Sequence, residues 1–186
     1  MSQRVKLLFG SVEKVKTPVE LDRKIKSISI GRRHALMVDI ADHVYAIGSN
    51  DFGELGLGDE KDRSSWTKIT KLTGRAIKVQ CGDGHSAVLT TSGVYTMGTN
   101  FGGATPQLIE LTSVADISMK FHHILALTNS GELYAWGHNG YGECGVGSSD
   151  DHIDKPTRVR GLDDYEIRQI SAGYNYSLLR CEPKSQ

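Results

Sequence analysis

The stretch GRRHALMVDIADHVYAIGSNDFGELGLGD, Gly31 to Asp59, decides the fold because the chain repeats it. The pattern returns as GDGHSAVLTTSGVYTMGTNFGG (Gly82 to Gly103) and as MKFHHILALTNSGELYAWGHNGYGECGVGS (Met119 to Ser148), and in part as GYNYSLLRC (Gly173 to Cys181). Repeats spaced by roughly 20–50 residues are typical of solenoids, propellers and arrays. The repeat therefore predicts a modular fold, and it favours a binding surface over an enzyme.

Each repeat contains short strand candidates that are apolar or β-branched and are bounded by Gly, Asp, Asn or Ser. They lie at 18–21, 28–30, 34–38 and 44–48, at 66–70, 77–80, 85–89 and 94–98, at 106–110, 114–118, 123–127 and 133–137, and at 156–159, 167–171 and 176–180. No segment sustains an apolar period of 3.6 residues, so almost no helix is expected. Four antiparallel strands per repeat predict an all-β propeller of four-stranded blades. The repeat units run over about 17–48, 66–98, 105–137 and 155–181, within one domain spanning 1–186.

The two ends of the chain are complementary. The fourth repeat stops without its last strand, whereas Lys6 to Ser11 aligns with Val44 to Ser49. A strand at about 5–10 is therefore predicted to close the last blade, which would remove an exposed strand edge. The expected total is about four blades, three of them continuous and one shared between the termini.

Composition excludes several classes of protein. Lys plus Arg and Asp plus Glu both number 22, so net charge gives no reason to expect a nucleic acid or an anionic membrane as partner. No apolar run approaches the ~18 residues of a membrane span. The three cysteines, Cys81, Cys144 and Cys181, are far apart and form no zinc or disulfide pattern. We expect an intracellular protein, cytoplasmic or nuclear, without a cofactor or a bound metal.

These residues resemble the regulator of chromosome condensation repeat family, whose pattern is roughly G-x-x-H-[ST]-x-x-[LV], G-x-[VL]-[YF]-x-[WM]-G-x-N and G-x-L-G-x-G-[DST]. The resemblance extends over nearly the whole chain. The matching positions are Gly31, His34, Gly48, Asn50, Gly53, Leu55, Gly56, Gly58 and Asp59, then Gly82, His85, Ser86, Gly93, Tyr95, Gly98 and Asn100, then Gly131, Tyr134, Trp136, Gly137, Asn139, Gly142, Gly145 and Gly147.

The chain departs from the family pattern in several places. Family propellers usually have seven blades, and the second repeat here lacks the G-x-L-G-x-G segment. Met119 stands where Gly is expected, and Tyr176 replaces His in the fourth repeat. The resemblance therefore implies a reduced member of the family. A splice product that lost internal blades would also keep matching ends.

Three histidines, His34, His85 and His122, are interpreted as one recurring repeat position. Recurrence in successive blades favours a structural role, such as tying a strand to a neighbouring backbone, over metal ligation. The loop from Ser148 to Asp154 gathers carboxylates and a histidine but lacks the spacing of a calcium loop, so a flexible inter-blade loop is expected. No Ser/His/Asp or Cys/His arrangement indicates catalysis.

The two positions between Gly and His vary in chemistry while their frame stays constant. A rigid scaffold with variable turn tips is a common way for loops to carry function. In the family, residues at such turns of the member that exchanges nucleotide on the GTPase Ran contact the GTPase. By resemblance we expect the partner-binding residues to be Arg32, Arg33, Asp83, Gly84, Lys120, Phe121, Tyr174 and Asn175.

The resemblance implies a non-catalytic protein–protein interaction module, a subunit or scaffold in a larger assembly. Guanine nucleotide exchange on a small Ran-like GTPase is an alternative, although only Asp83 resembles the family's acidic contacts and no insertion long enough for its wedge hairpin is present. A purely structural subunit of a large complex is a second alternative. The cations at Arg32, Arg33 and Lys120 favour an acidic partner surface.

Overall fold

The structure is a computed structural model that describes residues 5–7, 19–21 and 24–185. The described residues form sixteen strands and no helix, which confirms the predicted all-β class. The strands are β1 (Val5–Leu7), β2 (Val19–Leu21), β3 (Ile25–Ile30), β4 (His34–Asp39), β5 (Val44–Gly48), β6 (Arg63–Lys68), β7 (Ala76–Cys81), β8 (His85–Thr90), β9 (Gly93–Gly98), β10 (Gly103–Ile109), β11 (Val114–Lys120), β12 (His123–Thr128), β13 (Leu133–His138), β14 (His152–Arg158), β15 (Tyr165–Ala172) and β16 (Ser177–Pro183).

The strands pair into three antiparallel four-stranded sheets, which we call the first blade (β3 to β6), the second blade (β7 to β10) and the third blade (β11 to β14). β15 and β16 form a two-stranded sheet, the fourth blade, and β1 pairs with β2. The chain divides into two compact units, residues 1–109 and 110–186. The first unit contains the first and second blades, and the second unit contains the third and fourth.

The sheets are shifted by one strand from the predicted repeat units. The strands expected to open a new unit near Trp66, Pro106 and Pro156 pair instead with the strand that precedes them in the chain. The ladders contain the partners Ala46↔Thr67, Thr96↔Gln107 and Ala135↔Thr157. The reason is that the chain turns back antiparallel after the loop that follows β5, β9 or β13, and it completes the same sheet. A blade therefore begins at the strand before the Gly-x-x-His turn.

The two N-terminal strands pair with each other. β1 pairs with β2 through Val5↔Leu21, Lys6↔Glu20 and Leu7↔Val19. Among the residues that the structure describes, the sheet of the fourth blade contains only β15 and β16. Residues 8–10 of the predicted closing strand lie outside the described residues. The sharing of a blade by the two termini therefore stays a prediction, as does a single domain over 1–186.

The middle strands of each complete blade carry the core. β4, β5, β8 and β9 are buried along their whole length, whereas β6 and β10 are partly exposed. The core of the first unit joins both blades through Leu36, Val38, Val79 and Val88. Burial of each such side chain contributes about 1.5–3 kcal/mol. The central strands therefore form a fixed frame for the turns at their ends.

Serine side chains link the innermost strands of neighbouring blades. In the first unit the amides of Val79 and Cys81 on β7 donate to the hydroxyl oxygens of Ser27 (3.2 Å) and Ser29 (3.0 Å) on β3. In the second unit the amide of Ala172 donates to Ser118 Oγ at 2.9 Å. The first strand of a sheet has one unpaired edge, and buried amides need acceptors. The hydroxyls supply those acceptors and hold adjacent blades together.

Candidate interaction site

The Gly-x-x-His turns of the first two blades, and the Gly-x-x-Tyr turn of the fourth, are each closed by one backbone hydrogen bond. The amides of Gly31, Gly82 and Gly173 donate to the carbonyls of His34 (2.9 Å), His85 (2.9 Å) and Tyr176 (2.7 Å). These bonds place two residues at each tip, Arg32 and Arg33, Asp83 and Gly84, and Tyr174 and Asn175.

The third blade requires a correction. There Lys120 pairs in register with His123, so His123 and not His122 is the equivalent of His34 and His85. His34 and His123 occupy the same register, because each pairs with the glycine near the end of the next strand, His34 with Gly48 and His123 with Gly137. The tip residues are therefore Phe121 and His122, and Lys120 is exposed one position before the turn. We call the two tip pairs of each unit, with Phe121 and His122 as the pair of the third blade, the tip surface of that unit.

Three equivalent glycines, near the ends of β5, β9 and β13, allow a backbone hydrogen bond to each tip. Gly48, Gly98 and Gly137 have φ values of 114°, 97° and 106°. The residue after each donates its amide to the second tip residue, namely Ser49 to Arg33 (2.9 Å), Thr99 to Gly84 (3.0 Å) and His138 to His122 (2.9 Å). A Cβ on Gly48 would lie 2.4 Å from the Arg33 carbonyl oxygen. Glycine at these positions lets the strand pass close enough to bind the tip backbone.

The recurring histidines tie neighbouring blades together. In the first unit Ser86 Oγ donates to the Glu54 carbonyl (2.9 Å) and lies 2.8 Å from His34 Nε2. A hydroxyl has one proton to give, so His34 donates from Nε2. In the second unit Ser177 Oγ lies 2.7 Å from the Glu143 carbonyl and 3.0 Å from His123 Nε2.

Burial favours the neutral form of both histidines. It lowers the pKa of His34 to about 4, and it also lowers the pKa of His123. A neutral, buried ring with a fixed hydroxyl partner is a structural element. This geometry agrees with the structural role expected for the repeat histidine.

In the first unit the tips carry two ion pairs. Arg32 Nη1 lies 3.0 Å from Asp83 Oδ2, and Arg33 Nη1 lies 3.1 Å from Asp51 Oδ2. The Arg32 side chain is 73% exposed, so this contact is at the surface. Asp51 follows β5 and was missed by the sequence reasoning. It balances Arg33, so the first-unit tips are not simply basic.

Gly84 is not a surface contact. It is buried, and a Cβ at this position would lie 2.9 Å from the ring of Phe52. Phe52 itself is 55% exposed. The glycine therefore makes room for the exposed aromatic ring of Phe52.

In the second unit the same positions carry aromatic rings. Phe121 and Tyr174 stack with ring centroids 3.6 Å apart at 25°, and they occupy the positions of Arg32 and Asp83. The His122 ring lies 4.1 Å from that of Phe121. Tyr174 is 57% exposed, whereas Asn175 is half-buried with its Oδ1 buried and without a hydrogen-bond partner among the described residues. First tip residues of adjacent blades thus touch in both units, by an ion pair in one and by stacking in the other.

A second aromatic position also recurs. Tyr141, in Asn139-Gly140-Tyr141-Gly142, is the equivalent of Phe52, in Asn50-Asp51-Phe52-Gly53, and it is 72% exposed. The signal that could have found both residues is the repeated N-x-[FY]-G segment after the strand glycine.

The loop from Ser148 to Asp154 was expected to be flexible, but His152 begins β14. His152 Nδ1 lies 3.2 Å from Asp154 Oδ1. Over residues 5–7, 19–21 and 24–185 no group of three or more His, Cys, Asp or Glu side chains is placed to hold a metal ion. Within the same residues no helix is long and apolar enough to span a membrane.

Comparison with known proteins adds the family. A model of the regulator of chromosome condensation (RCC1) repeat matches residues 41–89 and 130–179, and a second model with the same description matches residues 114–143. Together they cover more than half of the chain. The chain belongs to the RCC1 repeat family. The resemblance inferred from the motifs is thereby confirmed.

Among curated relatives, the ultraviolet-B receptor UVR8 of Arabidopsis thaliana is 31% identical over 97% of this chain and 45% of the relative. The human E3 ubiquitin-protein ligase HERC2 is 29% identical over 86% of this chain and 4% of the relative. The chain therefore spans less than half the length of these proteins.

Solved structures show the same fold. Yeast RCC1 (Prp20) bound to Kap60 superposes with a TM-score of 0.81 at 20% identity, over 95% of this chain and 47% of that one. A second Saccharomyces cerevisiae Prp20p structure, from work on its binding to Gsp1p and histones, has a TM-score of 0.81 at 20% identity over 92% and 47%. Human WBSCR16 has a TM-score of 0.75 at 22% identity over 88% and 48%. At these identities the likeness supports the propeller fold alone.

Proposed function

We propose that this RCC1 repeat chain is a non-catalytic protein–protein interaction module, a subunit or scaffold of a larger intracellular assembly in the cytoplasm or nucleus. Its partner binds the tip surface of each unit, with Phe52 in the first unit and Tyr141 in the second. The observation that carries the proposal is the contact between first tip residues, Arg32 with Asp83 and Phe121 with Tyr174. Equivalent positions of the repeat carry different chemistries in the two units, as residues that specify a partner would.

The residue types at the tips support this role. Arg and Tyr are enriched among residues that dominate binding energy at interfaces. A guanidinium has five donors in a planar fork. Arg32 and Arg33 each make one ion pair through Nη1 within the described residues, which leaves donors for carboxylates of a partner. We therefore infer a protein partner that presents acidic side chains to the first unit and apolar ones to the second.

The test is a comparison of paired variants in affinity purification from the native source. Arg32→Glu with Arg33→Glu should weaken recovery of the partner and make the residual association less sensitive to salt. Lys71→Glu with Arg75→Glu is the matched control, because it makes the same charge change at exposed positions of the first unit away from the tips. Reversed exposed charges change stability little, so both variants should fold.

The second unit is tested in the same way. Tyr174→Ala should weaken binding, whereas Tyr165→Ala, at an exposed tyrosine on β15, should not. Equal recovery of every partner by wild type and both tip variants, with folding verified by circular dichroism, would rule out the tip surface as the binding site.

Guanine nucleotide exchange on a Ran-like GTPase is the alternative that the family suggests. Asp83, the tip residue that resembles the family's acidic contacts, is engaged by Arg32 and is mostly shielded. We therefore expect no acceleration of the release of a fluorescent guanine nucleotide from such a GTPase. A rate increase that Asp83→Asn abolishes would favour exchange over a passive module. If deletion of the chain disrupts the whole assembly while the tip variants have no effect, a purely structural subunit would be favoured.

A further inference from the structure

The loop that presents the exposed aromatic ring has the same design in both units. We call residues 50–55 and 139–144 the aromatic loops. The side-chain oxygens of Asn50 and Asn139 accept the amides of Leu55 (2.9 Å) and Cys144 (3.1 Å). In each loop a buried glutamate caps the aromatic residue, because the amides of Phe52 and Tyr141 donate to Oε2 of Glu54 and Glu143, both at 2.9 Å.

The two loops differ in the partner of that glutamate. In the second unit His138 Nδ1 lies 2.5 Å from Glu143 Oε1. In the first unit the equivalent residue is Ser49, whose hydroxyl donates to Asp51 at 3.0 Å. Glu143 therefore has both carboxylate oxygens bonded, one to the aromatic amide and one to a titratable ring. Glu54 has no such ring.

The electrostatics follow from this difference. Burial raises the pKa of Glu143, but the bonds from His138 and from backbone amides outweigh it and lower the pKa overall. Burial raises the pKa of Glu54, and its backbone hydrogen bonds do not reverse the shift. The pKa of Glu143 is thus lowered, whereas that of Glu54 is raised.

His138 connects this buried carboxylate to solvent. Its side chain is 36% exposed, whereas that of Glu143 is 1% exposed. The His138 ring also lies 6.1 Å from the ring of Tyr141. The charged and titratable groups facing His138 from its own loop and from the neighbouring strands are Glu143, Tyr141, Asp151, His152 with Asp154, and His123.

We propose that His138 and Glu143 form a pH-dependent clasp that holds the exposed Tyr141 ring in place, so that the second unit binds its partner more tightly when His138 is protonated. This regulation rests on the proposed function. Imidazole is the side chain whose ordinary titration falls between about pH 5 and 8. Protonated His138 adds the attraction between opposite charges to its hydrogen bond with the Glu143 carboxylate, so loss of that proton weakens the clasp without breaking the loop.

The clasp is measured without a partner, by amide hydrogen exchange in the full chain. Between about pH 6 and about pH 8, after correction for intrinsic exchange, the protection of the Tyr141 amide should fall about fivefold, because the aromatic loop opens more often once the ion-pair attraction between His138 and Glu143 is lost. His138→Ser installs the residue of the first unit and should abolish this pH dependence. Ser49→His makes the reciprocal change and should create a similar dependence at the Phe52 amide.

His152→Asn is the control for other ionisable groups near His138, and it should leave the pH dependence of the Tyr141 amide protection unchanged. Protection at Tyr141 that is independent of pH in the wild type, or that keeps its dependence in His138→Ser, would overturn the clasp. Partner affinity is then measured at both pH values. A clasp seen by exchange with no change in affinity would overturn its regulatory role and leave the proposed interaction site standing.

Discussion

Replacement of Gly98 by alanine tests whether the strand glycines hold the tips. The Gly98 φ is +97°, a conformation that side chains rarely adopt. An added Cβ would lie 2.4 Å from the Gly84 carbonyl oxygen and 2.7 Å from the His85 Cα. Both are backbone atoms of the tip and of β8, so neither can move aside as a flexible side chain would.

The expected cost has two parts. Backbone strain at such a φ costs about 1–3 kcal/mol. Overpacking against atoms that cannot move adds about 1–3 kcal/mol. We therefore expect Gly98→Ala to lower the free energy of unfolding by about 3 kcal/mol.

Gly103→Ala is the matched control. Gly103 also has a positive φ, +68°, but no atom lies within 4 Å of its Cβ position. Only the conformational cost of about 1–2 kcal/mol should remain. Urea unfolding followed by circular dichroism compares the two variants. Equal destabilisation would refute the reasoning, because the close approach to the tip would then contribute nothing.

Three further predictions concern the same frame. The pKa of His34 falls from 6.5 to about 4 on folding, so the unfolded state binds more protons between these pH values. The free energy of unfolding, measured by urea titration, should therefore drop by on the order of 3 kcal/mol as pH falls through this window. His34→Gln should reduce this dependence of stability on pH. Ser86→Ala leaves the His34 ring and the Glu54 carbonyl without their hydroxyl partner and should cost about 2–4 kcal/mol, against little change for the exposed Ser92→Ala. Deletion of residues 1–11 should reduce solubility if that segment shares the last blade, since β16 would keep an open edge; a deletion variant as soluble and stable as the full chain would contradict the closure.

Local patterns predicted most of the fold. Short apolar runs bounded by turn residues located the central strands, since β4, β5, β8 and β9 are covered on both faces. The turns between the central strands contain Asp42, Gly93 and Gly131, each with a positive φ. Sequence could not decide to which sheet β6 belongs, because it lies between β5 and β7 and its pattern suits an outer strand of either blade. Backbone pairing decides that, and it requires the path of the chain through the preceding loop.

Two contacts at the tips explain why the site was harder to predict than the fold. Arg33 meets Asp51, and Phe52 covers Gly84, so residues 18 and 32 positions apart in the chain form one surface. Neither pairing leaves a local signature, because only the antiparallel return of β5 brings the aromatic loop to the turn.

The third blade shows a second limit of reading motifs in sequence. With histidine at both 122 and 123, and with Met119 and Lys120 at the two possible glycine positions, the motif fits either frame equally well. The ladder to β13 resolves it, because His123 pairs with Gly137 as His34 does with Gly48. This frame aligns Phe121 with Arg32 and Tyr174 with Asp83. The ion pair of the first unit and the aromatic stack of the second are thus equivalent inter-blade contacts, made with different side chains at the same positions of the repeat.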